Sequence, residues 1–314
     1  MNEQVVSVLP AKLEERADAN ESRSVGAAGG KRRKDYGPFW TLSPVVFWMV
    51  CFVALPLVLI VAVSFFTRGL YGGIEYRLNL ENYARMLNPL YFKILWNSLN
   101  ISFLTTLFCL LLGYPFAYFI SRAPRKFRSI LLMLIIIPFW SNSLVRTYAW
   151  IVLLRTGGII NTVLLKLGLI SEPLKLLYNE TAVLVGLVYT LFPFMVLPLY
   201  TSIEKLNPSL LEAASDLGAK SWSAFLRITL PLTMPGIIAG SILVFIPTLG
   251  YFFIPDLMGG SKAMLVSNLI KNQFLTARDW PFGAAVSIFL IIITLVLIGV
   301  YMRLVRDQSK MEVF

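Results

Sequence analysis

The sequence has no histidine and only two cysteines among its 314 residues. A zinc or copper site needs several histidine or cysteine ligands at characteristic spacings, so no such site is expected. Both cysteines, Cys51 and Cys109, fall in apolar stretches, where we expect them as small buried hydrophobic side chains. The pattern G-x-x-x-x-G-K-[ST] is also missing, and "MGGSK" at residues 258–262 lacks its spacing. The sequence therefore predicts no phosphate-binding loop and no bound cofactor in this chain.

Charged residues are scarce as well. They make up 14% of the chain, whereas soluble domains carry about 25%. Hydrophobic residues reach 57%, and the mean hydropathy is +0.72. This composition indicates an all-α integral membrane protein. Six stretches have about the 20 apolar residues that a spanning helix needs. They are residues 42–66, 99–120, 130–154, 182–203, 235–255 and 284–305.

The net charge of +11 could indicate a nucleic-acid partner, but membrane topology explains the basic residues better. With six spans, both termini lie on one side of the membrane. That side carries 17 lysines and arginines, and the other side carries 10. Because cytoplasmic loops are enriched in lysine and arginine, we expect both termini in the cytoplasm of a bacterial cell, below its inner membrane, and no nucleic-acid partner.

Residues 1–37 are polar and mixed in charge, which predicts a disordered cytoplasmic tail ahead of a transmembrane domain at 38–310. The basic run "KRRK" at 31–34 is typical of a topology anchor before a first span. A nuclear signal or an anionic-lipid contact are alternatives for this run. The apolar stretch that follows is too long for a signal peptide.

A polar segment interrupts the apolar sequence between the fourth and fifth spans, and we call residues 207–231 the elbow. Asn207 can cap a helix that starts at Pro208. Gly218 lies where a residue of positive φ would end that helix. Ser221 can cap a second short helix that Pro231 should stop. The apolar stripe of the first helix could pack on the membrane surface, on the rest of the chain or on a partner protein.

The elbow resembles the EAA loop of binding-protein-dependent ABC importer permeases. That pattern is E-A-A, three residues, G, nine residues, I, one residue and L-P. In this chain it is matched at Glu212–Ala214, Gly218, Ile228 and Leu230–Pro231. The resemblance implies a type I importer permease fold whose elbow is a coupling helix docked on a separate ATPase dimer, which holds ATP and Mg. It also implies that this chain is not itself an enzyme.

Within that family pattern each elbow residue has an implied role. Ala213, Ala214 and Leu217 would pack in a groove of the ATPase. Glu212 would face a basic group there, although a solvated helix face is the alternative. Gly218 would set the angle between the two short helices.

Flanking segments extend the resemblance over residues 40–306, towards the B-type permease of spermidine/putrescine importers. These segments are "LLGYPFAYFISRAP", "NSLVRTYAW", "VYTLFPFMVLPLYTSIEKLNPSLLEAASDLGA", "PLTMPGIIAGSILVFIPTLGYFFIPDLMGG" and "RDWPFGAA". The resemblance implies polyamine import, with a second homologous permease and a periplasmic solute-binding protein as partners. Another small solute, or an ion-coupled secondary transporter, are the alternative functions.

Polyamines are chains of protonated amines, which carboxylates and aromatic faces can bind. Acids within spans are rare and mark functional sites. Asp256 follows Tyr251, Phe252 and Phe253 at the outer end of the fifth span, and the four could form a cation gate. An interfacial aromatic belt followed by a loop carboxylate is the alternative. Lys271 could pair with Asp256 or be an ordinary loop charge.

The third span carries further candidates near Pro138. Trp140 and Asn142 could line the pathway, although Trp140 could equally face lipid. Arg146 is a poor ligand for a cation, and we interpret it as structural. The apolar segment at 157–170 is too short to span, which favours an interfacial or re-entrant helix.

Overall fold

The computed structural model describes residues 37–260 and 263–311, and most of these residues are helical. The fourteen α-helices of the described part are named in chain order. They are α1 Gly37–Met49, α2 Leu55–Ser64, α3 Glu81–Met86, α4 Pro89–Arg122, α5 Arg125–Ile136, α6 Ser143–Leu154, α7 Ile159–Lys166, α8 Glu180–Glu204, α9 Pro208–Asp216, α10 Ser221–Ala224, α11 Leu230–Leu232, α12 Met234–Gly250, α13 Val266–Leu275 and α14 Trp280–Met311.

The chain divides into two compact units after Val58. The predicted tail, residues 1–37, lies outside the described residues except for Gly37, the first residue of α1. Helix α1 continues through a π-helical turn, Val50–Ala54, into α2. Cys51 in this turn is half-buried, whereas Cys109 in α4 is fully buried.

Five helical stretches of the described chain are long and apolar enough to cross a membrane. They are Leu42–Ser64, Pro89–Arg122, Ser143–Lys166, Glu180–Glu204 and Trp280–Arg303. A sixth arises if Ser221–Leu232 and Met234–Gly250, which meet at 63°, form one bent span.

The third predicted span, 130–154, is wrong as a continuous helix. A 3₁₀ turn at Ile137–Trp140 and two non-helical residues separate α5 from α6. Pro138 has no N–H to continue the helix, and Asn142 caps the new one. The stretch with spanning length is instead Ser143–Lys166, so the segment predicted as interfacial, 157–170, contributes α7 to it.

The prediction of an all-α chain also misses a small β-hairpin. Strands β1, Phe66–Arg68, and β2, Ile74–Leu78, pair antiparallel after α2. Gly72 and Gly73 adopt φ of +88° and +86° in the connecting turn, a conformation that favours glycine. The Arg68 guanidinium donates to the Ala277 carbonyl at 2.7 Å, which ties the hairpin to the loop before α14.

The largest core cluster is built by α4, α8 and α12, which contact one another pairwise. Between membrane helices, packing rather than water exclusion drives association, and small residues allow close approach. Gly236 and Gly240 of α12 provide that approach to α8. A Cβ on Gly236 would lie 2.5 Å from Ser202 Cβ, and one on Gly240 would lie 2.8 Å from Met195 Sδ. The glycine pair therefore packs α12 closely against α8.

Thr233 marks the bend between the elbow and α12. Its hydroxyl donates to the Thr229 carbonyl at 2.8 Å, so the Tyr114 hydroxyl, 2.9 Å away, is the donor between the two side chains. Thr233 is fully buried and Tyr114 is 9% exposed. This bond fixes the bend to the C-terminal half of α4.

Candidate functional site

The elbow begins and ends its first helix as the sequence predicts. The Asn207 side chain accepts from Ser209 N at 3.1 Å, and Pro208 is the first residue of α9. Gly218 has φ +80°. Its N–H donates to Ser215 O, and the next N–H, that of Ala219, donates to Ala214 O. These two bonds form a Schellman motif, which ends the helix and reverses the chain sharply.

The second arm of the elbow differs from the prediction in detail. Helix α10 starts at Ser221, and Lys220 precedes it without a side-chain cap, so Ser221 is not the capping residue. Pro231 does not stop the helix, because a π-helical turn at Phe225–Thr229 leads into α11, which ends at Leu232. The Phe225 ring stands edge-on to Tyr114, 5.6 Å between centroids, and so packs this arm on α4.

The coupling candidates divide between two faces of α9. Ala214 is only 8% exposed, so it packs within this chain rather than being free for a partner groove. Glu212, Ala213 and Gly218 are exposed, and Leu217 is 89% exposed. Trp222 on the second arm, which the sequence did not single out, is 70% exposed. The outward face of the elbow therefore exposes two large apolar side chains, Leu217 and Trp222.

The base of the elbow is fixed by an ion pair. Arg128 of α5 donates to the Glu204 carboxylate at 2.6 Å and to the Ser121 carbonyl at 2.6 Å. Glu204 is the last residue of α8, three residues before the elbow. The start of the elbow is thereby tied to the turn between α4 and α5.

At the opposite end of α12 the aromatic candidates lie outside the helix. The prediction placed Tyr251, Phe252 and Phe253 on a helix bent by Pro247, but α12 ends at Gly250. Tyr251 is extended, with φ −71° and ψ 118°. The three rings still lie together, since Phe253 is 5.2 Å from Tyr251 and 6.1 Å from Phe252 between centroids.

Asp256 lies in a π-helical turn, Pro255–Gly259, and binds two donors from α13. Its Oδ1 accepts from Asn268 Nδ2, and its Oδ2 pairs with the Lys271 ammonium. Asn268 Nδ2 also donates to Phe252 O at 2.7 Å. Of the two roles considered for Lys271, an ion pair with Asp256 or an ordinary loop charge, the structure shows the ion pair.

Two further pathway candidates, Trp140 and Asn142, lie on the third predicted span, away from Asp256. Trp140 is 78% exposed at the end of the 3₁₀ turn. The Asn142 side chain accepts from Leu144 N at 2.8 Å and so caps α6. The structure therefore gives Asn142 a structural role, and no contact of the described residues joins it to Asp256.

Arg146 lies one turn into α6 and lines an apolar cavity of about 670 Å³. Its guanidinium lies 5.1 Å from the centroid of the Phe139 ring. The Phe139 ring in turn stands edge-on to Phe194 of α8, at 5.2 Å. This stacking agrees with a structural interpretation of the arginine.

Sequence reasoning missed Asn268, which is 3% exposed and joins Asp256 to the Phe252 carbonyl. The signal was its position three residues before Lys271, which places both on one face of a helix.

Comparison with known proteins places residues 110–310 in a family described as "Binding-protein-dependent transport system inner membrane component". The chain is 52% identical over 266 residues to the spermidine/putrescine transport system permease protein PotB of Escherichia coli (strain K12). That match covers 85% of this chain and 97% of the relative. It is 50% identical over 263 residues to the protein of the same name from Haemophilus influenzae, covering 84% and 92%.

Among solved structures, the chain resembles a bacterial alginate ABC transporter in complex with alginate pentasaccharide-bound periplasmic protein. The TM-score is 0.73 at 19% identity, over 88% of this chain and 96% of the other. The MetNI methionine ABC transporter, in an inward-facing form, gives a TM-score of 0.53 at 16% identity, covering 71% and 98%. These similarities confirm the predicted fold of type I ABC importer permeases.

Proposed function

Since the chain belongs to the family of binding-protein-dependent transport system inner membrane components, we propose that it is the permease subunit of an ATP-driven importer of polyamines. It spans the bacterial inner membrane with both termini in the cytoplasm. Spermidine and putrescine are the solutes named for relatives that are 50–52% identical to it.

The observation that carries the polyamine assignment is the ion pair of Asp256. This carboxylate binds an alkyl ammonium, that of Lys271. Its second donor, Asn268, also donates to the carbonyl of Phe252, whose ring belongs to the cluster of Tyr251, Phe252 and Phe253. A carboxylate for charge and ring faces for cation–π contact are the groups that a protonated polyamine needs. The Asp256 side chain is 27% exposed, so a solute can reach it.

Transport requires a motor on another polypeptide, and the elbow is the surface proposed to receive it. Glu212, Ala213, Leu217 and Gly218 lie on its exposed face, with Trp222 on the second arm. ATP and Mg are bound by the ATPase dimer. A second homologous permease completes the pathway, and a periplasmic solute-binding protein delivers the polyamine to the end of the bundle that holds Asp256.

Two alternatives predict different measurements. An ion-coupled transporter would take up solute with a proton gradient alone, and family membership argues against it. An importer of another solute would need ATP but would not accumulate polyamines.

The test is uptake by the complete transporter, co-purified with its partners and reconstituted in liposomes with the binding protein outside and ATP inside. Labelled spermidine and putrescine should accumulate only with ATP. An amino acid offered at the same concentration serves as the control solute. Transport driven by a proton gradient without ATP, or ATP-dependent uptake that excludes polyamines, would overturn the proposal.

A further inference from the structure

The Asp256 site contains a fixed donor and a mobile donor. Asn268 is 3% exposed, and its amide is oriented by the Phe252 carbonyl, so it holds Oδ1 of the carboxylate in place. The Lys271 side chain is 33% exposed and reaches Oδ2 on a flexible four-carbon stem. Rotation of that stem frees Oδ2 without moving the backbone of α13.

The mobile donor has the chemistry of the proposed solute. A lysine side chain is a four-carbon chain that ends in a primary ammonium. Putrescine, and one end of spermidine, present the same group on the same length of chain. A site that binds the Lys271 ammonium on Asp256 therefore has the charge and shape for a polyamine terminus.

From this equivalence we infer that Lys271 is a tethered competitor of the solute. It occupies Asp256 when the pathway is empty, is displaced by the incoming polyamine and re-forms the pair when the solute leaves. This inference rests on the proposed function. It goes beyond that function in making Lys271 a specificity-determining residue that selects against weakly bound amines.

The selection follows from effective concentration. A tethered ammonium competes at a local concentration on the order of millimolar, so a monoamine of ordinary abundance does not displace it. A polyamine carries further ammonium groups, and we place one of them on the ring of Phe252, which is 45% exposed. That added contact allows it to displace Lys271, whose own partly exposed ion pair is weak.

The buried oxygen of Asn268 is a second feature of the site. Asn268 Oδ1 has no hydrogen-bond partner among the described residues, although its Nδ2 donates twice. Both partners of Nδ2 are acceptors, so the amide orientation is settled and the free atom is an acceptor. An acceptor without a partner beside a carboxylate favours an ammonium donor over an anion.

The experiment compares Lys271→Met with Asp256→Asn in the reconstituted transporter, once ATP-driven polyamine uptake by the unaltered complex is measured. Lys271→Met should lower the spermidine concentration for half-maximal uptake by about 3- to 10-fold, lower the maximal rate and make butylamine an inhibitor. Asp256→Asn should raise that concentration by at least about 10-fold. Lys271→Arg keeps a cation and should behave nearly as the unaltered protein.

Lys175→Met is the matched control, because it removes an exposed lysine from another loop at the same end of the bundle. It should leave half-saturation and butylamine resistance unchanged. If Lys271→Met and Asp256→Asn both raise the half-saturating concentration, the pair is structural and only this inference fails. If the unaltered complex takes up no polyamine, the proposed function fails and the inference with it.

Discussion

The hydroxyl groups of Tyr114 and Thr233 lie 2.9 Å apart, 119 residues distant in sequence. Tyr114 lies in the C-terminal half of α4, and Thr233 lies at the 63° bend where the elbow joins α12. The bond links the end of the proposed ATPase-contacting segment to the core cluster that contains Tyr114. We therefore expect motion of the elbow to reach α4 through Thr233.

Removing this bond should weaken coupling. Tyr114→Phe loses one buried hydrogen bond, which costs about 1 kcal/mol, and should raise ATP hydrolysed per spermidine imported. Thr233→Val should cost more, about 1–3 kcal/mol, because it leaves the Tyr114 hydroxyl buried without a partner. The double variant should be less destabilised than the sum of the two, as measured by thermal unfolding in detergent. Strict additivity would contradict the bond.

Gly218 tests the shape of the elbow. Its φ of +80° disfavours side chains, although a Cβ there would meet nothing within 4 Å. Gly218→Val should therefore cost about 1–2 kcal/mol from backbone strain alone and release the ATPase or uncouple it. Gly218→Asn, a residue that tolerates this conformation, should retain most activity. Gly250→Val, also in open space but without positive φ, is the control. Equal loss in all three would refute the backbone argument.

A substitution at Leu217 distinguishes an effect on ATPase docking from an effect on folding. Because it is 89% exposed, Leu217→Ser should leave the melting temperature of the isolated chain unchanged. If Leu217 fills an ATPase groove, binding of the ATPase should weaken by about 10-fold, as for a typical interface anchor. Leu87→Ser, at an 84% exposed position near the opposite end of the bundle, should not affect binding. Calorimetric titration of the ATPase onto the detergent-solubilised permease measures both.

Gly236 tests the close approach of α12 to α8. Gly236→Ala would bring a Cβ within 2.5 Å of Ser202 Cβ and 2.8 Å of the Pro198 carbonyl oxygen, so backbone must move. Overpacking of this kind costs about 1–3 kcal/mol. Gly299→Ala in α14 meets nothing within 4 Å and should be neutral or stabilising. Equal melting temperatures for the two variants would show that α12 and α8 separate freely.

Asp279 holds the start of α14. It is 1% exposed, pairs with Arg85 at 2.9 Å and accepts from Phe282 N at 3.2 Å. Asp279→Ala loses both the charged bond and the cap, about 2–3 kcal/mol together. Asp279→Asn can keep the cap and should lose less. Glu75→Gln breaks an exposed pair with Arg77 and should cost less than about 1 kcal/mol by thermal unfolding.

The sequence predicted the parts of this molecule that local chemistry decides. Asn207, Pro208 and Gly218 define the first arm of the elbow through a cap, a fixed φ and a positive φ, each set within a few residues. The spacing of Gly236 and Gly240 is local in the same way, because small residues four apart share one helix face. Hydropathy located four of the five continuous spanning stretches with ends that differ by up to ten residues, whereas the third predicted span was displaced from Ser143–Lys166.

The other features depend on contacts between residues that are far apart in the sequence, and local patterns do not reveal such contacts. Asp256 meets Asn268 and Lys271 only because α13 folds back along the turn that follows α12. Ala214 could not be assigned to the inward face of α9 until the elbow was placed against the bundle. The hairpin was missed although "GG" at 72–73 is a turn signal, since its strands are only three and five residues long.

The glycine contacts of α12 limit how the bundle can change shape. Where two backbones touch over small residues, sliding one helix along the other replaces each glycine with a bulkier neighbour and produces a steric clash. We therefore expect α8 and α12 to move together as a rigid pair. The strain of each transport cycle is thereby directed to the bends and loops at its two ends, and the solute pathway opens by tilting of intact walls.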